Sequence, residues 1–324
     1  MGLLRRIRNP ELLQTGLRRR GCFEGWYFKL IDRPMTGSAA VIPGVSLGGR
    51  GCVEGSHAFV QVIHGGRGRY FRYPLSAFDA DRREFRVGVG GSSFSCRGML
   101  LDLDGPDGRI AGELRFYDGL PFPKTVLWPG IMGPYSFVPG MECYHGIVSI
   151  RHGISGSLII DGETLCFDGG SGYVEKDWGR SFPSCWIWLQ ANHFGRDAAF
   201  LFSVADIPFL GSSFHGFFAF LYLDGRLHRF ATYTGARLVS LTERNGETAV
   251  AIQGRGMTLE VTARPGPGGL LKAPKNGLMD RMIEETIQAA VEVRLTGSKG
   301  VLFHGQSPCA GMERYRSEAL LTGR

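Results

Sequence analysis

The chain reads as an all-β protein, and three observations carry that reading. Turn dipeptides recur at Asp104-Gly105, Asp107-Gly108, Asp161-Gly162, Asp224-Gly225 and Asn245-Gly246. Several stand between alternating or aromatic-rich runs, the local signature of a hairpin. Glycine makes up 49 of 324 residues, about twice its ordinary usage and without a collagen-like period. Helical periodicity is scarce. The candidate strands begin with residues 23–31 and 57–64, then 109–116 after Asp107-Gly108, 144–151, and 157–160 running into Asp161-Gly162. Further candidates are 185–194, 198–205, the pair 216–223 and 226–233 around Asp224-Gly225, 248–253 after Asn245-Gly246, and 258–262. Residues 280–290 fit a short amphipathic helix through Met282, Ile283, Thr286 and Ile287. They fit equally well a strand that continues into Val291 to Leu295.

One structural idea occurs twice. Phe23-Glu24-Gly25-Trp26-Tyr27-Phe28 opens the first half, and Glu175-Lys176-Asp177-Trp178-Gly179 opens the second. Each sets an acid, a tryptophan and a glycine at a long strand; a wide aromatic plugs a small barrel, and glycine lets the backbone approach it. The expected organisation is a basic arm over residues 1–22, a first antiparallel barrel over 23–165 and a second over 166–324.

Composition excludes several classes. With 43% hydrophobic and 21% charged residues, the chain has ample material for globular cores. Its first twenty residues lack the continuous apolar stretch of a secretory signal, and no run approaches a transmembrane helix. The seven cysteines (22, 52, 96, 143, 166, 185 and 309) are odd in number and never in CxxC spacing. They read as reduced thiols of a cytoplasmic protein. Neither a metal-spaced cluster nor a phosphate loop is present, so the expectation is no cofactor and no metal. The net charge of +7 concentrates in Arg5, Arg6, Arg8, Arg18, Arg19 and Arg20. With leucines interleaved, that arm either rests on an anionic membrane surface or packs against the first barrel. The basic run Gly65 to Tyr73 falls where a hairpin turn is expected, and nucleic acid is not an expected partner.

The richest stretch is residues 173–194, which holds Trp178, Trp186 and Trp188. From Cys185 the period is two: Trp186, Trp188, Gln190 and Asn192 share one face, with Cys185, Ile187, Leu189, Ala191 and His193 on the other. Aromatics followed by amides suit an apolar cavity with polar fixing points, and suit better a barrel core with locally satisfied indoles. Glu142, Tyr144 and His145 put an acid, a phenol and an imidazole within four residues, and His57 alternates with Phe59 and Gln61. A serine-hydrolase reading fails for want of a GxSxG elbow.

The segments FEGWYFK (Phe23 to Lys29), SHAFVQV (Ser56 to Val62), SFVPGMECYHG (Ser136 to Gly146) and YVEKDWGRSFPSCWIWLQANHF (Tyr173 to Phe194) resemble the tocopherol cyclase family. So do VADIPFLG (Val204 to Gly211), RFATYTGA (Arg229 to Ala236) and AGMERY (Ala310 to Tyr315). The resemblance is nearest to the compact bacterial branch. It implies two lipocalin-like β-barrel halves, shared at a distance with carotenoid hydratases, and closure of a chromanol ring on a prenylated hydroquinone. Such chemistry needs an acid to protonate the alkene, a dry pocket with π faces near the cation, and a base for the phenol proton. Asp177, beside Trp178, is the first choice of acid and Glu24 the second, with Glu142 and His145 as further candidates. Trp26, Tyr27, His57, Gln61, Tyr144, Trp178, Trp186, Trp188, Gln190 and Asn192 are the expected contacts of a hydrophobic prenylquinol or terpenoid. The alternatives are a carrier that buries such a chain unchanged and a hydratase that adds water to an isoprenoid alkene.

Overall fold

Two antiparallel sheets, each wrapped around its own core, make up the computed structural model, which describes residues 3–49, 55–126, 128–209 and 211–322. Cys52, Leu210 and the first two residues of the arm lie outside the described residues. The first sheet holds β1 (Cys22–Ile31), β2 (Ser38–Leu47), β3 (His57–His64), β4 (Arg67–Tyr73), β5 (Phe78–Ala80) and β6 (Arg86–Val89). It continues with β7 (Ser92–Ser95), β8 (Gly98–Gly105), β9 (Gly108–Pro121), β10 (Cys143–Ile160), β11 (Glu163–Cys166) and β12 (Gly170–Gly179). Their lateral order is β4-β3-β2-β1-β12-β10-β9-β8-β7-β6-β5, with β11 attached to β10. The second sheet holds β13 (Trp186–Ala191), β14 (Ala198–Phe209), β15 (Ser212–Leu223), β16 (Arg226–Ala231) and β17 (Arg237–Arg244). β18 (Glu247–Gly254), β19 (Met257–Arg264), β20 (Gly268–Lys275), β21 (Leu278–Gly297) and β22 (Gly300–Tyr315) complete it. The lateral order there is β16-β15-β14-β13-β22-β21-β19-β18-β17, with β20 attached to β21.

Local chemistry explains the turns. Asp161-Gly162, Asp224-Gly225 and Asn245-Gly246 each carry two consecutive positive φ angles, the backbone that tightens a two-residue hairpin. The ambiguous segment 280–290 is strand: along β21 burial alternates through Ile283, Glu285, Ile287, Ala289, Val291 and Val293. The candidate strands 144–151 and 157–160 are one strand, β10, which absorbs the interruption as register shifts against its neighbours.

The chain divides into two compact units, residues 1–182 with 270–282, and residues 183–269 with 283–324. Residues 170–179, beyond the 165 boundary anticipated from the sequence, are hydrogen bonded inside the first sheet, because β12 pairs with both β1 and β10. The first core gathers Trp26, Phe28, Phe78, Phe85, Phe94 and Phe116. Trp26 lies over Phe85 with ring centroids 6.4 Å apart and planes 14° from parallel. Burying such side chains contributes about 1.5–3 kcal/mol each.

The N-terminal arm packs inward. After the short helix Leu3–Arg8, Leu12 and Leu13 are buried, Leu13 within the first core. Glu24 holds this segment: its carboxylate accepts hydrogen bonds from the Gln14 amide at 2.9 Å, the Thr15 hydroxyl at 2.5 Å and the Thr15 amide. The Lys176 ammonium donates to Glu24 at 2.5 Å and to the Leu12 carbonyl at 2.6 Å, and sits 4.2 Å above the Trp26 ring. Both charged side chains are fully buried.

A buried pair is most costly when half of it is removed. Glu24→Gln leaves the Lys176 ammonium without its counter-charge, and urea denaturation should show a loss of about 3–5 kcal/mol. The double variant Glu24→Gln/Lys176→Met should recover most of it. A double variant no more stable than the single one would show that the pair is not what Glu24 contributes.

Candidate functional site

The β1–β12–β10 ladder sorts side chains onto two faces, because residues opposite one another in a sheet point the same way. Trp26 faces Lys176 and Phe28 faces Val174, and this set enters the first core. Tyr27 faces Glu175, Lys29 faces Tyr173 and His145 faces Asp177, so the outer face gathers two phenols, two carboxylates, an ammonium and an imidazole. That face is buried: Lys29 and Tyr173 are completely covered, and Tyr27 and Glu175 nearly so.

On this outer face the groups form a chain. The Tyr173 hydroxyl donates to Glu175 Oε2 at 2.6 Å. The same oxygen lies 3.3 Å from His145 Nε2, while His145 Nδ1 donates to Asp177 Oδ1 at 2.9 Å. Cys143 Sγ stands 4.0 Å beyond, against Asp177 Oδ1. Burial alone would pull the imidazolium down, but the Glu175 and Asp177 carboxylates outweigh it and raise the His145 pKa to about 10. Burial, together with the Glu175 carboxylate, holds the Tyr173 phenol well above its ordinary value, so it remains a donor. One atom each from His145, Glu175 and Asp177 lie within 4.8 Å of one another, near enough to hold a divalent cation. The Nδ1–Oδ1 hydrogen bond instead occupies two of those donors with a proton. Asp177 is the more accessible of these two carboxylates, 20% exposed against 6% for Glu175.

His145 also lines a cavity of about 270 Å³ in the first unit. Its wall includes Tyr144 and Trp178, stacked with centroids 5.5 Å apart and planes 9° from parallel. Met132, Phe137 and Pro139 come from the segment that leads into β10, and Pro10 from the arm. The Tyr144 hydroxyl is fixed by donating to the Val138 carbonyl at 2.7 Å, which holds that segment over the ring. The His145 amide points at Met132 Sδ, 3.0 Å away.

Of the residues expected from the sequence, the structure brings together Asp177 with His145, and Tyr144 with Trp178. Tyr27 joins the outer face opposite Glu175. Others stand elsewhere. Glu24 is occupied by the arm and Lys176, and Trp26 is core, its indole donating to the Glu11 carbonyl at 2.8 Å. Glu142 precedes β10, and its backbone carbonyl accepts from the Arg180 and Ser181 amides. His57 contacts the Gly55 carbonyl and the Tyr70 hydroxyl, and burial lowers its pKa. Gln61 makes a two-way bond with the Lys272 backbone, at 2.9 and 2.7 Å. Trp186, Trp188 and Gln190 lie on β13 opposite the face that enters the second core, which carries Ile187, Leu189 and Ala191. Trp186 donates to Glu313 at 2.7 Å and stacks on Tyr315 at 4.8 Å. Asn192, just past β13, is buried. Sequence reasoning missed Tyr173 and Glu175 as partners. The alternation Tyr173, Glu175, Asp177 along a strand was the available signal, since those three must share a face.

The sequence profile of the Tocopherol cyclase-like family matches residues 132–314, more than half of the chain. The chain belongs to this family. The match begins at Met132 in the cavity wall and takes in β10, β12 and all of β13 to β21. Among solved structures, this family member is similar to CghA, at 13% identity and a TM-score of 0.57 over 94% of this chain and 89% of that one. CghA with Sch210972 gives 14% identity and 0.53, over 90% and 88%. A protein described as AttH from Nitrosomonas europaea gives 13% and 0.53, over 90% and 92%. At such identities the likeness shows the fold. No curated protein sequence matches the chain.

The raised pKa of His145 has a consequence for stability. A proton held more tightly in the folded state stabilises it fully below the unfolded value of 6.5, and that stabilisation is lost as pH rises toward about 10. Thermal melts should therefore fall more steeply between these limits for the parent chain than for His145→Gln. Parallel curves would show that His145 is not charged by its two carboxylates.

Proposed function

We propose that this protein is a cofactor-independent isomerase that closes a chromanol ring on a prenylated hydroquinone. The observation that carries the reading is the buried hydrogen-bonded set of Tyr173, Glu175, His145 and Asp177 on the outer face of the ladder. In the reactive form His145 is an imidazolium and Asp177 carries the proton to be transferred. Asp177 gives its proton to the less substituted carbon of the trisubstituted alkene, forming a C–H bond and a tertiary cation. The carboxylate left behind is paired with the His145 imidazolium, so charge develops where a counter-charge already stands. The phenol oxygen then forms the C–O bond, and its proton returns to the cluster through Glu175. No atom is gained or lost.

Membership of the tocopherol cyclase-like family supports this chemistry, and the arrangement of the outer face supports Asp177 as acid, with Glu175 and Tyr173 as its relay. Glu24 is assigned to closing the barrel on the arm, whose Leu12 and Leu13 are buried. No helix among the described residues is long and apolar enough to cross one.

Anaerobic incubation with 2-methyl-6-phytylhydroquinone and shorter prenyl homologues should yield the chromanol, identical in mass and different in retention and absorbance. Asp177→Asn should lower turnover by about 10²–10⁴, the usual contribution of a general acid, while binding persists. Binding without conversion would make the protein a carrier, and a product heavier by one water would make it a hydratase.

A further inference from the structure

The charge of the cavity wall goes beyond what a neutral quinol requires. Arg6, Arg19 and Arg180 line it, and no aspartate or glutamate does so among the described residues. Arg19 and Arg180 are exposed, and their guanidinium groups make no hydrogen bond or ion pair among the described residues. Arg6 spends Nη1 on the Gln14 carbonyl at 2.8 Å, but its Nε is buried with no partner. His145 also belongs to the wall, but its ring is turned to Glu175 and Asp177 on the outer face. Three guanidinium groups therefore remain uncompensated in a concave wall whose other members are chiefly apolar, the arrangement that concentrates a positive field on a bound ligand.

We propose that the ligand of this cavity is an acid: an aromatic carboxylate with a short prenyl chain, its carboxylate paired with the arginines and its apolar body laid along Tyr144, Trp178 and Phe137. A carboxylate matches the guanidinium fork with two parallel hydrogen bonds, which a quinol hydroxyl cannot do. The rings and methionines accept the remainder of the molecule without demanding polar partners. This deepens the proposed function, because it takes the cavity as the place where the substrate sits, and it narrows the substrate class from neutral prenylquinols to prenylated phenolic acids. Ring closure on such an acid follows the same steps and leaves the carboxylate unchanged.

The test compares 3-geranyl-4-hydroxybenzoate with its methyl ester, which removes the charge and keeps the ring, the phenol and the chain. Binding to the full chain is read by titration calorimetry at neutral pH and low salt. The acid should bind about tenfold or more tightly than the ester, a preference that shrinks as salt is added. Arg19→Gln/Arg180→Gln should bring the acid down to the level of the ester, with the ester's affinity serving as the control for folding. Equal affinities of acid and ester in the parent chain, or an equal loss of both in the variant, would overturn the proposal. Chromatography of the same mixtures separates the two readings. Preference for the acid without ring closure upholds the acidic ligand and defeats the isomerase. Ring closure of the ester with no preference for the acid does the reverse.

Discussion

Everything described for the first unit depends on one pairing, that of β1 with β12. Glu24 and Lys176 are 152 residues apart in sequence and meet only because these strands lie side by side. The pairing closes a large loop at an entropic cost, and both faces of the ladder contribute to offsetting it. Inside, Lys176 and Glu24 draw in the arm and seat Trp26 over the core. Outside, the register sets Tyr27 and Lys29 against Glu175 and Tyr173. A shift of one residue would move the carboxylates into the core and the tryptophans out of it.

The outer face is unusual in what it buries. Two carboxylates with one imidazole between them form an odd-numbered set of charges, and such a set stays in a low-dielectric place only if a proton is kept within it. Tyr173 adds a donor and takes no charge of its own. The result is a buried set of titratable groups joined by hydrogen bonds, and one of its residues, His145, also belongs to the wall of an aromatic cavity. Gln61 holds the Lys272 backbone, whereas this set joins four titratable groups to one another.

Much of the fold was legible because β-structure writes itself locally. The strand His57–His64 has the bounds that alternation predicts, and the Asp-Gly and Asn-Gly turns mark hairpins where they fall. What alternation cannot say is which face is inside. His57, Phe59 and Gln61 alternate as expected but point away from the core, which takes Ala58, Val60 and Val62 instead. The same holds for Trp186 and Trp188 against Ile187 and Leu189. The site was half legible: Asp177 and Tyr144 with Trp178 follow from their aromatic surroundings. The bond between His145 and Asp177 does not, because it joins strands whose register shifts twice and whose order in the sheet is not the order of the chain. Glu175 shares a face with Tyr173 and Asp177 and not with its neighbour Lys176, because adjacent residues on a strand point to opposite faces.

The most direct test of this account is the protonation state of His145 itself, read from the ring nitrogen shifts in ¹⁵N-histidine-labelled protein, assigned with His145→Gln. Both ring nitrogens should remain protonated at pH 8, with titration only toward about 10. A His145 ring that is neutral at pH 8, titrating near its ordinary 6.5, would contradict it, since the two carboxylates would then hold no proton between them.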